Sequence, residues 1–367
     1  MDEINRCSYH FAHLYAWVRD LLGEIRTEDG RTTLPMKARA TPMTPTPDSP
    51  AKVILGTATF GVSPLADDAP ALIRGALDRG VEFFDTANSY GNQPDYDRPS
   101  VPDHTERLSS EEILGRALAG IRDRVQLASK VGEPLGRDRV NGPFVGQLTR
   151  GHIFEQVDLS LRRLRTDYLD LYYAHQPDPH TPAGETVAAF DDLVTAGKIR
   201  AWGISNFSAA ETEAVVRTAV ELGARPPSAH QVRYNLAERR IERTGVVAAA
   251  CSTGTPLHAY APVAGGLLAG RRALDRDYIG HRRWGGVGFS EAQRSAGRRF
   301  AGLAAEWGVH PSSLALAWLM NRPGVTGVVM GTSSMANLDH ACTAGELTLS
   351  RDQLVILDSL RFGDPVN

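Results

Sequence analysis

From residue 52 onward, short apolar runs alternate with longer stretches in which apolar residues return every third or fourth position. The short runs fall at 53–56, 81–85, 125–129, 169–174, 200–205, 229–232, 256–260 and 325–330. Helical stretches between them include 69–79, 110–120, 152–164, 184–196 and 208–222. Leu118, Ile121, Val157, Leu161 and Leu164 keep the spacing of a packed helix face. Strands that alternate with helices pair in parallel through right-handed crossovers. Eight such strands in about 280 residues predict a closed (β/α)8 barrel of the TIM type. The competing architecture, an open doubly wound sheet, wants a G-x-G-x-x-G turn after an early strand. The nearest candidate, G-T-A-T-F-G at 56–61, has the wrong spacing.

Residues 1–50 follow another pattern and form an N-terminal extension to the barrel, which occupies 51–367. Phe11, Leu14, Tyr15, Val18, Leu21, Leu22 and Ile25 describe an amphipathic helix with one apolar stripe. T-P-M-T-P-T-P-D-S-P at 41–50 carries four prolines and predicts an extended linker. The stripe could dock on the barrel, mediate self-association or be disordered, and translation could instead begin at Met36 or Met43. Two loops are long. One, 91–108, follows Tyr90 directly and is polar and proline-rich; the other runs from about 264 to 289 and includes Arg282, Arg283 and Trp284. Each is either an insertion of low entropic cost or a wall of a ligand site.

Composition narrows the function. The chain has 367 residues, 42% of them apolar, and a formal charge of −3. That is ample for a large core and lacks the basic surface a nucleic acid requires. Three cysteines form no C-x-x-C pair, no apolar run approaches the length of a membrane span, and no signal-peptide pattern opens the chain. A cytoplasmic setting without a membrane partner is the expectation. Only four lysines occur, so a lysine closing an apolar strand is less readily surface filler.

That lysine is Lys130, and it has company. Asp85, Tyr90, Lys130 and His175 each lie just past an apolar run, where a closed barrel opens its active rim. A tyrosine hydroxyl ordinarily titrates near pH 10; a neighbouring ammonium lowers that value, and a carboxylate keeps the ammonium charged and placed. A histidine then orients an oxygen or helps move its proton. Singly, Asp85 could cap a turn, Tyr90 pack on its loop, Lys130 face solvent and His175 be a satisfied rim histidine. Their coincidence at strand ends favours chemistry. Asp170, His175 and His180 lack a recognised metal-ligand spacing, there is no H-E-x-x-H, and Cys251 has no evident histidine partner. Neither a bound metal nor a covalent intermediate is expected.

Five segments carry a resemblance: F-F-D-T-A-N-S-Y-G (83–91), S-E-E-I-L-G-R-A-L (110–118), L-R-R-L-R-T-D-Y-L-D-L-Y-Y-A-H (161–175), G-K-I-R-A-W-G-I-S-N-F-S (197–208) and Y-A-P-V-A-G-G-L-L-A-G (260–270). In this order they resemble the aldo-keto reductase superfamily, in particular its bacterial and aflatoxin-aldehyde-reductase-like branches, over about residues 52–360. The resemblance implies a barrel that binds NADPH, less often NADH, and reduces an aldehyde or ketone. It implies Tyr90 as general acid with Lys130, Asp85 and His175. It also implies that Ser205, Asn206 and Gln231 hold the nicotinamide carboxamide and that Tyr260 stacks on the ring. The remaining cofactor contacts fall to Thr57, Asp85, Gly331, Thr332, Ser333 and Asn337.

The pattern breaks in two places. Many relatives carry a lysine or arginine after strand eight for the adenosine 2′-phosphate; M-G-T-S-S-M-A-N-L-D-H-A at 330–341 has neither. Thr332, Ser333, Ser334 and the following helix start remain to receive a phosphate; without a cation discrimination for NADPH should weaken, and it is the resemblance that still favours NADPH, with NADH possible. The hairpin usual before strand one is not evident either. The polar loop 91–108 points to a sugar-like or secondary-metabolite carbonyl substrate. The alternatives are a cofactor-sensing regulatory barrel with little turnover, against which the intact four-residue set argues, and a dehydratase or epimerase, which neither a metal set nor an extra base supports.

Overall fold

The computed structural model describes residues 51–97, 101–133, 147–274 and 288–363. The extension over 1–50 lies outside the described residues, as do Arg282, Arg283 and Trp284 of the second long loop. Eight parallel strands close into a barrel in sequence order: β1 (Lys52–Gly56), β2 (Phe83–Asp85), β3 (Gln126–Val131), β4 (Leu171–Ala174), β5 (Trp202–Ser205), β6 (His230–Arg233), β7 (Leu257–Tyr260) and β8 (Val325–Gly331). The seam is β1 against β8, in register from Lys52↔Gly327 to Gly56↔Gly331. The main outer helices are α1 (Ala69–Leu77), α2 (Ser110–Ala117), α3 (Arg150–Leu164), α4 (Ala183–Thr195), α5 (Ala209–Glu221), α6 (Val246–Thr253), α7 (Glu291–Glu306), α8 (Pro311–Met320), α9 (Met335–Thr343) and α10 (Arg351–Ser359).

Each expected strand is present with bounds shifted by a few residues. β2 starts later than its apolar run because the Val81 amide bonds to the Ala76 carbonyl and closes the turn out of α1. Helix starts are set by short polar side chains. Ser109 with Glu112 and Ser208 with Glu211 form reciprocal capping boxes at α2 and α5. Between strands and helices the core includes packed aromatics: Phe190 stacks on Trp202 at 5.1 Å between centroids. On the barrel floor the Asp170 carboxylate is fully buried and accepts from Arg122, Arg200 and the Leu127 amide. Asp170 is thereby committed to joining β3 and β4, not to a ligand set with His175.

Inside the barrel the filling includes two large polar rings, Tyr173 and His258. Two glycines make room for them. A Cβ on Gly203 would lie 2.7 Å from the Tyr173 ring, and one on Gly327 would lie 2.7 Å from the His258 ring. Neither glycine has a left-handed backbone, so space is the constraint that selects them.

Two buried histidines tie stability to pH. Burial pushes His230 down to about 3 and His258 down to about 4. Both stay neutral in the fold, whereas a histidine in the unfolded chain takes up a proton near pH 6.5. Their stabilisation is therefore full above about pH 6.5 and is lost as pH falls towards those folded values. The loss approaches about 1.4 kcal/mol per pH unit for each group. Melting temperature should fall between pH 6.5 and about 4.5, and His230→Gln should flatten that fall. An unchanged slope in the variant would contradict neutral burial of His230.

Candidate active site

Asp85 and Lys130 reach the same point because β2 and β3 pair from Phe83↔Gln126 to Asp85↔Ala128. After β2 the chain continues along β3, with the Thr86 amide on the Ala128 carbonyl and the Asn88 amide on the Lys130 carbonyl. That path delivers Tyr90 above Lys130. The Tyr90 carbonyl is then held by the Ser110 amide at 2.9 Å. His175 follows β4, and its amide bonds to the Val131 carbonyl at 2.7 Å.

The four side chains meet. Lys130 Nζ donates to Asp85 Oδ1 at 2.5 Å and to the Thr86 carbonyl at 2.7 Å. It lies 4.7 Å from the centroid of the Tyr90 ring. The Tyr90 hydroxyl is 3.3 Å from His175 Nε2. Asp85 is fixed from three sides: Gln231 Nε2 donates to Oδ2 at 2.8 Å, and the Thr57 amide and hydroxyl both donate to its carbonyl. Thr57, Thr86 and Ser110 share a buried hydroxyl cluster beneath it.

The electrostatics correct one expectation. Tyr90 is not eased towards tyrosinate; its pKa is raised well above the ordinary value. Burial is the first cause, and the Asp85 and Glu133 carboxylates add to it. Burial likewise pushes Lys130 down, against the pull of Asp85. The ammonium is spent on Asp85 and sits over the ring face, so its field at the hydroxyl does not win. The phenol is thus held in its acid form.

The other expected site residues divide into two groups. Asn206 takes a left-handed backbone, φ +64°, which turns its amide back to donate to the His175 carbonyl at 3.1 Å and to Ser205 Oγ at 3.2 Å. Tyr260 is half-buried and its hydroxyl donates to Asn206 Oδ1 at 2.9 Å. Ser205, Asn206, Gln231 and Tyr260 therefore adjoin the first four. Thr57 reaches the site only through the Asp85 backbone, its own hydroxyl being buried and committed. Gly331, Thr332, Ser333 and Asn337 lie at the end of β8 and the start of α9. Gly331, Ser333 and Asn337 are exposed, while Thr332 is buried and turned onto Ser334. A half-exposed aromatic face, an amide and hydroxyl pair, and a helix start with exposed polar groups fit a dinucleotide in chemical type.

The sequence matches the family model described as the aldo/keto reductase family over residues 52–361. The chain belongs to that family. It is similar to an L-glyceraldehyde 3-phosphate reductase of Escherichia coli strain K12, 30% identical over 312 residues that span 82% of this chain and 85% of the relative. It is also similar to the oxidoreductase YrpG of Bacillus subtilis, 33% identical over 318 residues, or 84% and 91% of the two chains. A 6-dehydroglucose reductase of Agrobacterium fabrum is 27% identical over 327 residues, or 86% and 97%. This aldo/keto reductase is accordingly an oxidoreductase, and the family generally uses a nicotinamide cofactor.

Around the family's rim, the structure adds groups that sequence reading passed over. Glu133 lies 3.6 Å from His175 Nε2 and accepts from Ser89 Oγ at 2.8 Å and Gln176 Nε2 at 3.2 Å. Its signal was its position, three residues beyond Lys130 on the same strand end. Arg107 is the staple of the first long loop. Its guanidinium is buried and donates to the Gly91, Gln93 and Pro102 carbonyls and to Asp97. Asp97, Asp103 and His104 bring ligand atoms within 4.8 Å of one another, but Arg107, Thr105 and His104 itself already engage the carboxylates. Among the described residues, no helix is long and apolar enough to cross a membrane.

Tyr90→Phe should reduce carbonyl turnover by at least about a hundredfold, the scale for removing a general acid. Cofactor affinity should stay near wild type; turnover near wild type would contradict the role. Lys130→Met should show a comparable loss. Arg107→Ala should free the loop beside Tyr90 and raise KM for a bulky carbonyl several-fold, with cofactor Kd unchanged. An unaltered KM would mean that the loop does not wall the substrate site.

Proposed function

We propose that this protein reduces an aldehyde or ketone to an alcohol with NADPH or NADH, Tyr90 serving as general acid. The observation that carries the reading is the Tyr90 hydroxyl, 3.3 Å from His175 Nε2 and backed by the buried Lys130–Asp85 pair. When bound, the cofactor supplies hydride to the carbonyl carbon. Ser205, Asn206 and Gln231 would hold its carboxamide, Tyr260 its ring, and Gly331, Thr332, Ser333 and Asn337 its phosphate end. Tyr90 and His175 receive the carbonyl oxygen, and Tyr90 gives it a proton as negative charge grows there. The raised pKa keeps that proton in place through the neutral range. Lys130, fixed by Asp85 and the Thr86 carbonyl, supplies a preorganised positive field below the ring.

The substrate is proposed to be a polar, hydroxylated carbonyl compound. Glu133 and Gln176, both beside His175, offer an acceptor and an amide to such a molecule. The relatives named for L-glyceraldehyde 3-phosphate and 6-dehydroglucose act on molecules of that kind. Among the described residues of loop 91–108, Asp97, Asp103, His104 and Arg107 are bonded within the loop, so these four lend it shape more than contacts to a ligand. Oxidation of NAD(P)H against a panel of hydroxylated and simple aliphatic carbonyls tests this reading. Faster turnover of the aliphatic members would overturn the substrate class, and no turnover with any member would overturn the reductase activity.

Residues 330–341 contain no lysine or arginine, so neither side chain forms an ion pair with a 2′-phosphate from that segment. NADPH should be preferred over NADH by less than about a hundredfold, since one such ion pair is worth a few kcal/mol at most and each 1.4 kcal/mol is tenfold. Fluorescence titration gives both constants. A preference beyond about a thousandfold would require a cation from another segment.

A further inference from the structure

Glu133 is tied to the chain neighbours of both groups that receive the carbonyl oxygen. Ser89, which precedes Tyr90, donates from Oγ to Glu133 Oε2 at 2.8 Å. Gln176, which follows His175, donates from Nε2 to Glu133 Oε1 at 3.2 Å. The carboxylate is thereby held in one frame with Tyr90 and His175, and its Oε1 comes to 3.6 Å from His175 Nε2. That separation is too long for a hydrogen bond, so the two atoms stand side by side. Ser89 is buried, whereas Tyr90, Glu133 and Gln176 are half-buried, so none of these three is sealed from a ligand.

The placement sets a distance. The Tyr90 hydroxyl and His175 Nε2 are 3.3 Å apart. A carbonyl oxygen that accepts from both lies about 2.9 Å from the nitrogen. It is then no more than about 6.5 Å from Glu133 Oε1, the two separations taken end to end. A hydroxyl on the carbon next to the carbonyl fits that gap. Its oxygen lies close to the carbonyl oxygen, and it has a hydrogen to give. A carboxylate is an acceptor with room for about four donors, so such a hydroxyl can join Ser89 and Gln176 on it. A hydroxyl one carbon further along would have to fold back to make the same bond.

We propose that Glu133 is a specificity-determining residue, accepting a hydrogen bond from the hydroxyl adjacent to the substrate carbonyl, so that the substrates are α-hydroxy aldehydes or ketones. The inference rests on the reductase reading above and narrows its hydroxylated class to one position of the hydroxyl. A substrate with a methylene there would cover part of the carboxylate and return no bond, which is how a polar site rejects an analogue. A carboxylate that merely joined the loops after β2, β3 and β4 would treat every carbonyl alike.

The test uses the full chain with saturating cofactor and measures kcat/KM for propanal, 2-hydroxypropanal and 3-hydroxypropanal. The wild type should favour 2-hydroxypropanal over each of the others by about tenfold or more, the scale of one hydrogen bond to a charged group. Glu133→Leu should bring the three within about twofold of one another, the largest loss falling on 2-hydroxypropanal. Glu133→Gln keeps an acceptor oxygen without the charge, so its preference should fall to about threefold. It carries the test if the leucine variant does not fold. Equal fold losses on all three aldehydes would mark Glu133 as a structural tie and overturn the proposal. So would a wild-type preference retained in full by either variant. A wild type that favours 3-hydroxypropanal would overturn the inference and leave the hydroxylated substrate class standing; one that turns over none of the three would take down the reductase reading and the inference together.

Discussion

The buried ion pair between Lys130 and Asp85 is the constraint to which the site is built. Neither charge survives out of water alone, because desolvation of each costs several kcal/mol. Their 2.5 Å contact offsets that cost only with further hydrogen bonds, and the surroundings supply them. The Thr86 carbonyl takes a second Lys130 hydrogen, Gln231 covers the other Asp85 oxygen, and Thr57 pins the Asp85 backbone. These partners come from strand ends or the loops after β1, β2 and β6, so the pair exists only when the barrel closes. Fold and chemistry are therefore joined at one contact. A lysine on β3 without its aspartate on β2 would be a buried unpaired charge, and the core would have to open to wet it.

The same burial decides the state of Tyr90. Low polarisability and two nearby carboxylates keep the phenol protonated, and that is the form a proton donor needs. Asn206 shows a related economy of position. Its left-handed backbone lets one side chain touch the His175 carbonyl, Ser205 and Tyr260, which couples the end of β4 to the expected nicotinamide platform.

Much of this was legible in the residues because the signals are local. An apolar run with a polar terminus marks a strand end, and all eight runs became strands. Asp85, Tyr90, Lys130 and His175 could be read as one set because a parallel barrel sends every strand end to one rim. What escaped is what depends on layers and partners. Alternation along β4 and β7 does not say that Tyr173 and His258 face each other across the barrel interior. The role of Arg107 was not legible because a polar loop residue looks available until its carbonyl partners are known. The direction of the Tyr90 shift was misread because proximity to Lys130 is visible in topology, whereas the competing effect of burial needs the packed structure.

The central claim is that Tyr90 is held as an acid by a site whose lysine is already satisfied. Ultraviolet titration of the tyrosinate band, taken as wild type minus Tyr90→Phe, tests it without any substrate. The account predicts no ionisation attributable to Tyr90 below about pH 10, the ordinary value for the side chain. A difference band titrating between about pH 7 and 8 would show that Lys130 governs the phenol after all, and would contradict the account.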